Sequence, residues 1–401
     1  MITIPDWDWI KENSGADLDR LRLKFGKDSD KQFAIEQIDC RRRAAAKLPQ
    51  TLRNDRFLFP SKLAAEQSTS DVLAQYHSDL VGQVDSALDM TCGLGIDSFH
   101  IARKVNKIIS IELDPIKAEC AAYNADVLGL ENMWVACGNS VDYIKICEPD
   151  SFDTIFIDPA RRGDGGKRLY AISDCEPDVE QLLPQMLTVA KRIIMKASPM
   201  IDISDTLRRL CNVSRIIACG LPRECKELII IAERGFDGEP TITSATVDKD
   251  GRWQEFQFAP GEESAAEYRY GNPEIGGYLY EPYSSTQKSA PYKLLCQRFD
   301  AAVISANTHL YASATPLPSF PGIEYEVLDC MDYNKASIKE IREKYPKADV
   351  TVRNFPLTAQ QLTAKLKIKP SSGALRLFAF TDRERKLKIV ICKNRAITAD
   401  F

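Results

Sequence analysis

Residues 88–102 read LDMTCGLGIDSFHIA, and this stretch decides the fold. An apolar run closes on an acid, Asp89, glycines follow at Gly93 and Gly95, and a helix-like run then begins. A strand, a tight turn and a helix in that order mark the carboxyl end of a parallel strand, where open α/β sheets bind ligands. Outward from it, short apolar runs recur as KIISIE (107–112), MWVAC (133–137), TIFID (154–158), RIIMK (192–196), VSRIIAC (213–219) and ELIIIAE (227–233). Helical stretches separate them, among them PIKAECAAYNADVLGL (115–130), whose Pro115 suits a first turn. Near-continuous apolar strands alternating with helices predict an α/β fold with a parallel sheet covered on both faces.

Three ligand readings compete for the turn. A phosphate-cradling P-loop needs Lys-Ser or Lys-Thr after its glycines, and none follows here. A dinucleotide turn wants a third glycine where this chain has Ser98, and its acid belongs later than Asp89. An acid before the glycines suits S-adenosylmethionine, a ligand with a zwitterionic methionine end, a sulfonium and a ribose but no phosphate. A carboxylate at the strand end meets the positive aminoacyl end, and glycines admit the ligand close to the backbone. The next strand should then end in an acid for the ribose hydroxyls, and IISIELD places Glu112 there.

With both acids in place the sequence resembles class I S-adenosylmethionine-dependent methyltransferases over about 85–235. The resemblance implies a Rossmann-like sheet in which ECKELIIIAE (224–233) is the inserted antiparallel strand. It implies cofactor contacts from Asp89, Thr91, Gly93, Gly95 and Asp97 on the turn, and from Glu112 and Leu113 after the second strand. Asn139 and Ser140 of CGNS stand near the adenine position, and Gln67 and Thr69, with Ser68, stand over the methionine end. Two residues depart from the family pattern. Thr91 replaces a glycine and is expected to narrow the methionine end, and Asn139 replaces an acid.

FDTIFIDPARRGDGGKR (152–168) is the second informative stretch. Asp158 and Pro159 end a buried strand, as in the Asp/Asn-Pro-Pro-aromatic tip by which nucleic-acid and amine methyltransferases hold a target nitrogen. Ala160 replaces the second proline and Arg161 the aromatic. A guanidinium stacks on a base or grips phosphate, so Asp158, Pro159 and Arg161 are the catalytic candidates and Asp158 also borders the cofactor. The Gly-Asp-Gly-Gly run after Arg162 is expected to move over substrate. Cys175, in YAISDCEPDVEQ (170–181), precedes the helix leading to the fifth strand, which disfavours a covalent cysteine mechanism.

Composition frames the remainder. The 401 residues, 44% hydrophobic and 27% charged, suit a multidomain globular protein. No apolar run reaches membrane-spanning length and the N-terminus lacks a leader pattern, so a cytoplasmic protein without a membrane partner is expected. Twelve cysteines without a C-x-x-C pair, and three histidines, predict reduced thiols and no metal site. The sequence carries no signal for oligomeric state.

The chain divides into a helical N-terminal domain (1–80, with Ser61 as a helix cap), the methyltransferase domain (81–235), a β-rich segment (236–275) and a small α+β domain (276–401). The last resembles THUMP-like domains through YLYEP (278–282), FPG (320–322) and TAQQLTAKLKIKPSSGALRLF (358–378). Net charge is −4, yet residues 334–395 hold 16 Lys and Arg against 5 Asp and Glu, and residues 20–56 hold 11 against 5. Basic flanks are what phosphate engagement requires. The sequence therefore predicts a methyltransferase of structured RNA, with a small-molecule or protein methyltransferase, or a non-catalytic cofactor- and RNA-binding protein, as the alternatives.

Overall fold

The computed structural model describes residues 2–161, 172 and 175–395. These form two compact units, Met1–Ile216 with Leu228–Gly238, and Ile217–Glu227 with Glu239–Phe401.

The first unit begins with helices α1 (Trp7–Glu12), α2 (Leu18–Lys24), α3 (Ser29–Ala44), α4 (Lys62–Gln67) and α5 (Asp71–Val81). Each of the first three starts at an aspartate, Asp6, Asp17 and Asp28, whose carboxylate accepts an otherwise orphaned backbone N–H. Ser61 caps α4 by accepting the N–H of Ala64 at 3.1 Å. The sheet then alternates with helices: β1 (Ser86–Asp89), α6 (Ile96–Ala102), β2 (Lys107–Glu112), α7 (Pro115–Val127), β3 (Met133–Cys137), α8 (Ser140–Lys145) and β4 (Phe152–Ile157). A short pair, β5 (Ala160–Arg161) and β6 (Cys175–Glu176), precedes α9 (Val179–Val189), β7 (Ala190–Ala197), α10 (Ile203–Arg209), β8 (Val213–Leu221) and β9 (Glu224–Glu233).

Strand order from the far edge is β3-β2-β1-β4-β7-β9-β8. β1 to β4 and β7 run parallel to their neighbours, and β9 enters antiparallel beside β7 with Ile194 opposite Ile231. This is the Rossmann-like order with its inserted antiparallel strand that the sequence predicted. Chain reversal falls between β1 and β4, so both strand tips face the crevice where such sheets bind ligands.

The N-terminal helices, read from sequence as a domain of their own, share this unit with the sheet. Asn124, fully buried on α7, explains part of the attachment. Its amide donates to the Leu58 carbonyl and its oxygen accepts the Leu58 N–H, both at 2.8 Å. His100 of α6 meets Asp71 of α5 at 3.1 Å, and the same carboxylate accepts the N–H groups of Gln50 and Thr51. Polar pairs this deep fix a single docking geometry, because leaving either member unmatched is costly.

In the second unit, β10 (Thr241–Val247) and β11 (Trp253–Phe258) form a hairpin, turning through Gly251 at φ +79°. α11 (Pro260–Ala265), β12 (Tyr278–Pro282), α12 (Ser284–Ser289), α13 (Tyr292–Phe299), β13 (Ala302–Val303) and β14 (Tyr311–Ser313) follow. β15 (Gly322–Asp332), α14 (Lys335–Lys344), β16 (Asp349–Arg353), α15 (Ala359–Leu366), β17 (Leu375–Thr381) and β18 (Leu387–Asn394) complete it. Seven of these strands make a second sheet in the order β13-β14-β12-β15-β18-β17-β16. Ile341 and Leu362, from α14 and α15, pack with Leu366 against Leu377, Ile389 and Ile391 on one face. Leu279, Tyr325, Val327, Phe378 and Val390 form a further core of the same sheet. Alternating apolar positions on β15, β17 and β18 supply both cores, as a period of two demands.

Candidate active site

The turn after β1 is organised from beneath by Asp89. Its side chain is buried, 1% exposed, and each oxygen accepts one bond, Oδ1 from the Thr91 N–H at 2.9 Å and Oδ2 from the Ser98 hydroxyl. Ser110 in turn donates to Ser98 at 2.9 Å. The third-glycine position is thus a serine that satisfies the strand-end acid. Burial, with the charges of Asp97 and Asp158 nearby, pushes the Asp89 carboxyl up to about 7, although Ser98 and Thr91 pull the other way. Asp89 shapes the turn from below, where the sequence reading had it facing the ligand.

Gly93 and Gly95 carry left-handed backbone, φ +57° and +91°. A Cβ on Gly95 would lie 2.5 Å from the Phe99 ring, whereas one on Gly93 would meet nothing closer than 4.0 Å. Gly95 is therefore required by packing, and Gly93 leaves open space on the cleft side. The Gly93 N–H donates to Glu112 Oε2 at 2.7 Å and the Asp114 N–H to Oε1 at 3.0 Å. Each Glu112 oxygen is oriented by one donor and keeps capacity for another.

A cleft of about 110 Å³ opens above this turn. Gln67, Thr69, Thr91, Gly93, Gly95, Asp97 and Asp158 line it, together with Ala64, Ser68 and Lys117. Of the residues expected from sequence, Asp89, Glu112, Leu113, Asn139, Ser140 and Pro159 lie outside that lining. Leu113 is 71% exposed after β2, Ser140 is buried, and Asn139 caps α8 by accepting the Val141 N–H at 2.9 Å. The Asn139 position is thereby explained locally, since an amide caps a helix as an acid would.

Thr91 reaches across to the tip of β4. Its hydroxyl accepts the Asp158 backbone N–H at 2.6 Å. The residue that replaces a glycine thus ties the two strand tips together, a longer reach than the narrowing expected of it. Asp158 presents a half-exposed carboxylate at the cleft, and Pro159 behind it is buried. The Arg161 backbone pairs with Cys175 in the β5–β6 ladder, while its side chain, Arg162 and the Gly-Asp-Gly-Gly run lie outside the described residues. Cys175 consequently sits one ladder pairing from the tip, nearer than its place in the chain implies, with a side chain only 3% exposed.

Sequence reasoning missed three residues here. Lys196, closing β7, donates to Asp158 Oδ2 at 2.8 Å, to Thr69 Oγ at 2.8 Å and to Asp97 Oδ2 at 3.3 Å. His77, fully buried on α5, meets Asp97 Oδ1 at 2.7 Å, and Lys117 lines the cleft from α7. Burial alone would raise the Asp97 carboxyl, but Lys196, His77 and the Thr69 hydroxyl outweigh it and hold it well below the usual carboxylate range. The available signal was a lysine ending the apolar run RIIMK, the same strand-end position that singled out Asp158. Among the described residues no group of three or more His, Cys, Asp or Glu could hold a metal ion, and no helix is long and apolar enough to cross a membrane. Among the described residues no two cysteines are joined by a disulfide.

Sheet order, glycine turn and acid-tipped β4 together define a methyltransferase domain of the class I architecture. Comparison agrees. Residues 84–226 match the family of RNA cap guanine-N2 methyltransferases, residues 278–321 a ferredoxin-like domain, and residues 322–394 a THUMP domain-like family. The chain is similar to a crystal structure from Porphyromonas gingivalis W83, described as a candidate methyltransferase, at 28% identity and a TM-score of 0.87 over 97% of each chain. An uncharacterized RNA methyltransferase of Streptococcus pyogenes serotype M3 is 31% identical over 99 residues, 24% of this chain and 22% of the relative. A 23S rRNA (uracil(747)-C(5))-methyltransferase of Shewanella baltica strain OS195 is 32% identical over 93 residues, 23% of this chain and 24% of the relative. The chain thus spans about a quarter of the length of the curated relatives it matches. It carries a methyltransferase domain followed by a THUMP-like domain.

Proposed function

We propose that this protein is a cytoplasmic S-adenosylmethionine-dependent methyltransferase that acts on a nucleotide of structured RNA. The observation that carries the reading is the Thr91–Asp158 tether, by which the cofactor turn and the β4 tip face one cleft. The lining fits the cofactor chemically. It offers carboxylates and backbone acceptors to a cation, an open side at Gly93, and no phosphate-cradling loop. Glu112 holds the ribose hydroxyls with the capacity its two N–H donors leave, and Gln67, Thr69 and Asp97 surround the methionine end.

When bound, the cofactor supplies a methyl group on a sulfonium sulfur, which leaves as a neutral thioether. The chain's task is therefore positioning and proton removal. Asp158 accepts a hydrogen bond from the target nitrogen and takes its proton. Its carboxylate is 46% exposed, so the proton can pass on to water. Pro159 stiffens the tip, and Arg161 engages the base or a flanking phosphate. The basic THUMP-like domain and the basic N-terminal helices grip the RNA backbone.

The relatives named above as RNA methyltransferases support this substrate class, as does the THUMP-like domain. The test compares nucleosides by mass spectrometry in RNA from cells with and without the gene. One methylated nucleoside should vanish with the gene and return on incubation of that RNA with protein and cofactor. Identical nucleoside profiles would overturn the RNA assignment.

A further inference from the structure

Lys196 is a buried cation placed under the cleft, and its three N–H donors find three named acceptors. Asp97 is the deeper of its two carboxylate partners, with a side chain 12% exposed, and Asp158 is the shallower at 46%. Thr69 stands between, receiving from Lys196 at 2.8 Å and donating to Asp97 at 2.6 Å. Asp97 is held on its other oxygen by His77, which is 0% exposed on α5. The ammonium thus joins Asp97 on α6 and Thr69 on the α4–α5 turn to Asp158 at the tip of β4, and of the two carboxylates Asp158 is the one more open to water.

An ammonium that served only to neutralise a buried acid would be satisfied by Asp97. This one also grips Oδ2 of a carboxylate that water can reach. With the backbone N–H of Asp158 fixed by Thr91 and Oδ2 fixed by Lys196, main chain and side chain are both pinned, and Oδ1 is left as the acceptor facing the cleft.

We propose that Lys196 is a positioning residue for methyl transfer, holding the Asp158 carboxylate so that Oδ1 meets the target N–H, with Thr69, Asp97 and His77 as its brace. The proposal rests on Asp158 acting as described above. It gives the Thr69–Asp97 pair, next to the methionine end of the cofactor, a direct mechanical link to the residue that meets the target.

The experiment compares wild-type protein with Lys196→Met, similar in length but uncharged, and with Thr69→Val, which removes one brace. On the RNA that wild type methylates, Lys196→Met should lower kcat on the order of 10²-fold, the usual cost of losing such alignment. Affinity for S-adenosylhomocysteine, measured by calorimetry, should change by less than ~3-fold, because the loss falls on alignment in the transition state and not on ground-state binding. Thr69→Val should lie between, and it carries the test if Lys196→Met does not fold. A second readout needs no activity. In 15N-lysine-labelled protein the ammonium resonance that disappears in Lys196→Met should shift in Asp158→Asn. Lys196→Met with kcat within ~3-fold of wild type, or one whose activity falls only as far as cofactor binding falls, would overturn the proposal. A wild-type chain that binds cofactor but methylates no RNA would instead overturn the function proposed above, and this inference with it.

Discussion

Thr91→Val isolates the tether between the two strand tips. Valine keeps the branched shape and the backbone N–H that donates to Asp89, and deletes only the hydroxyl that accepts the Asp158 N–H at 2.6 Å. A neutral hydrogen bond contributes about 1 kcal/mol net, and the β4 tip is open enough for water to replace the lost acceptor, so roughly 0.5–1.5 kcal/mol of stability should go. For a compact unit of this size each kcal/mol corresponds to roughly 2–4 °C in Tm. The effect on catalysis should be larger, about 10-fold in kcat, because Asp158 then drifts relative to the cofactor turn. Thermal melting, calorimetry with S-adenosylhomocysteine and a methyl-transfer assay on the cognate RNA measure the three quantities. Lower Tm with unchanged kcat would show that the tether matters only for folding and would refute the reasoning.

Asp89 gives a pH signature. Its carboxyl titrates at about 7 in the folded chain against an ordinary value of 3.8, so the native state keeps a proton that the unfolded chain gives up. The stabilising contribution is full below the unfolded pKa and is lost as pH rises through the folded one, with a slope of roughly 1.4 kcal/mol per pH unit in the window between. Denaturant titrations from pH 5 to 7.5 should therefore show wild type losing stability relative to Asp89→Asn, and parallel curves would contradict the buried-acid account. Asn124→Ala removes both bonds to Leu58, although Cys120 Sγ remains 3.2 Å from the same carbonyl and softens the loss. The cost should be roughly 1–3 kcal/mol in urea unfolding, and a value near zero would refute the pairing as a docking device. Glutamate at Lys365, Lys367 and Lys369, which follow one another through the end of α15 and the residues after it, should weaken RNA binding and flatten its salt dependence. RNA affinity unchanged by the three substitutions would place the contact elsewhere.

Much of the sheet could be read in advance because its information is local. Each strand of 107–112, 133–137 and 154–158 is a short apolar run closed by a turn, and β9 falls where the family resemblance puts its antiparallel strand. The glycine turn was legible for the same reason, since Asp89, Gly93 and Gly95 lie within seven residues. What stayed hidden depends on contacts far apart in sequence. The Thr91 hydroxyl meets a backbone N–H 67 positions away, and Lys196 meets Thr69 across 127 positions. No periodicity reports such pairs. The mounting of the N-terminal helices escaped for a like reason, because Asn124 and Asp71 look like ordinary helix polar residues until their partners Leu58, Thr51 and His100 are placed. Positions carried over from a pattern, Glu112, Leu113 and Asn139, lie outside the cleft lining, Leu113 projecting into solvent and Asn139 capping a helix.

We propose that the cleft lined by Gly93, Thr69 and Asp97 takes S-adenosylmethionine. Isothermal titration of the cofactor into the chain tests it most directly, with Gly93→Asn as the control, since asparagine tolerates the left-handed backbone of Gly93 and places a side chain on the open side of the cleft. Saturable one-to-one binding is expected with a Kd on the order of 1–100 μM, about −8 to −5 kcal/mol, weakened at least ~10-fold in Gly93→Asn while the fold persists. No binding by wild type at roughly millimolar cofactor, or equal binding by Gly93→Asn, would contradict it.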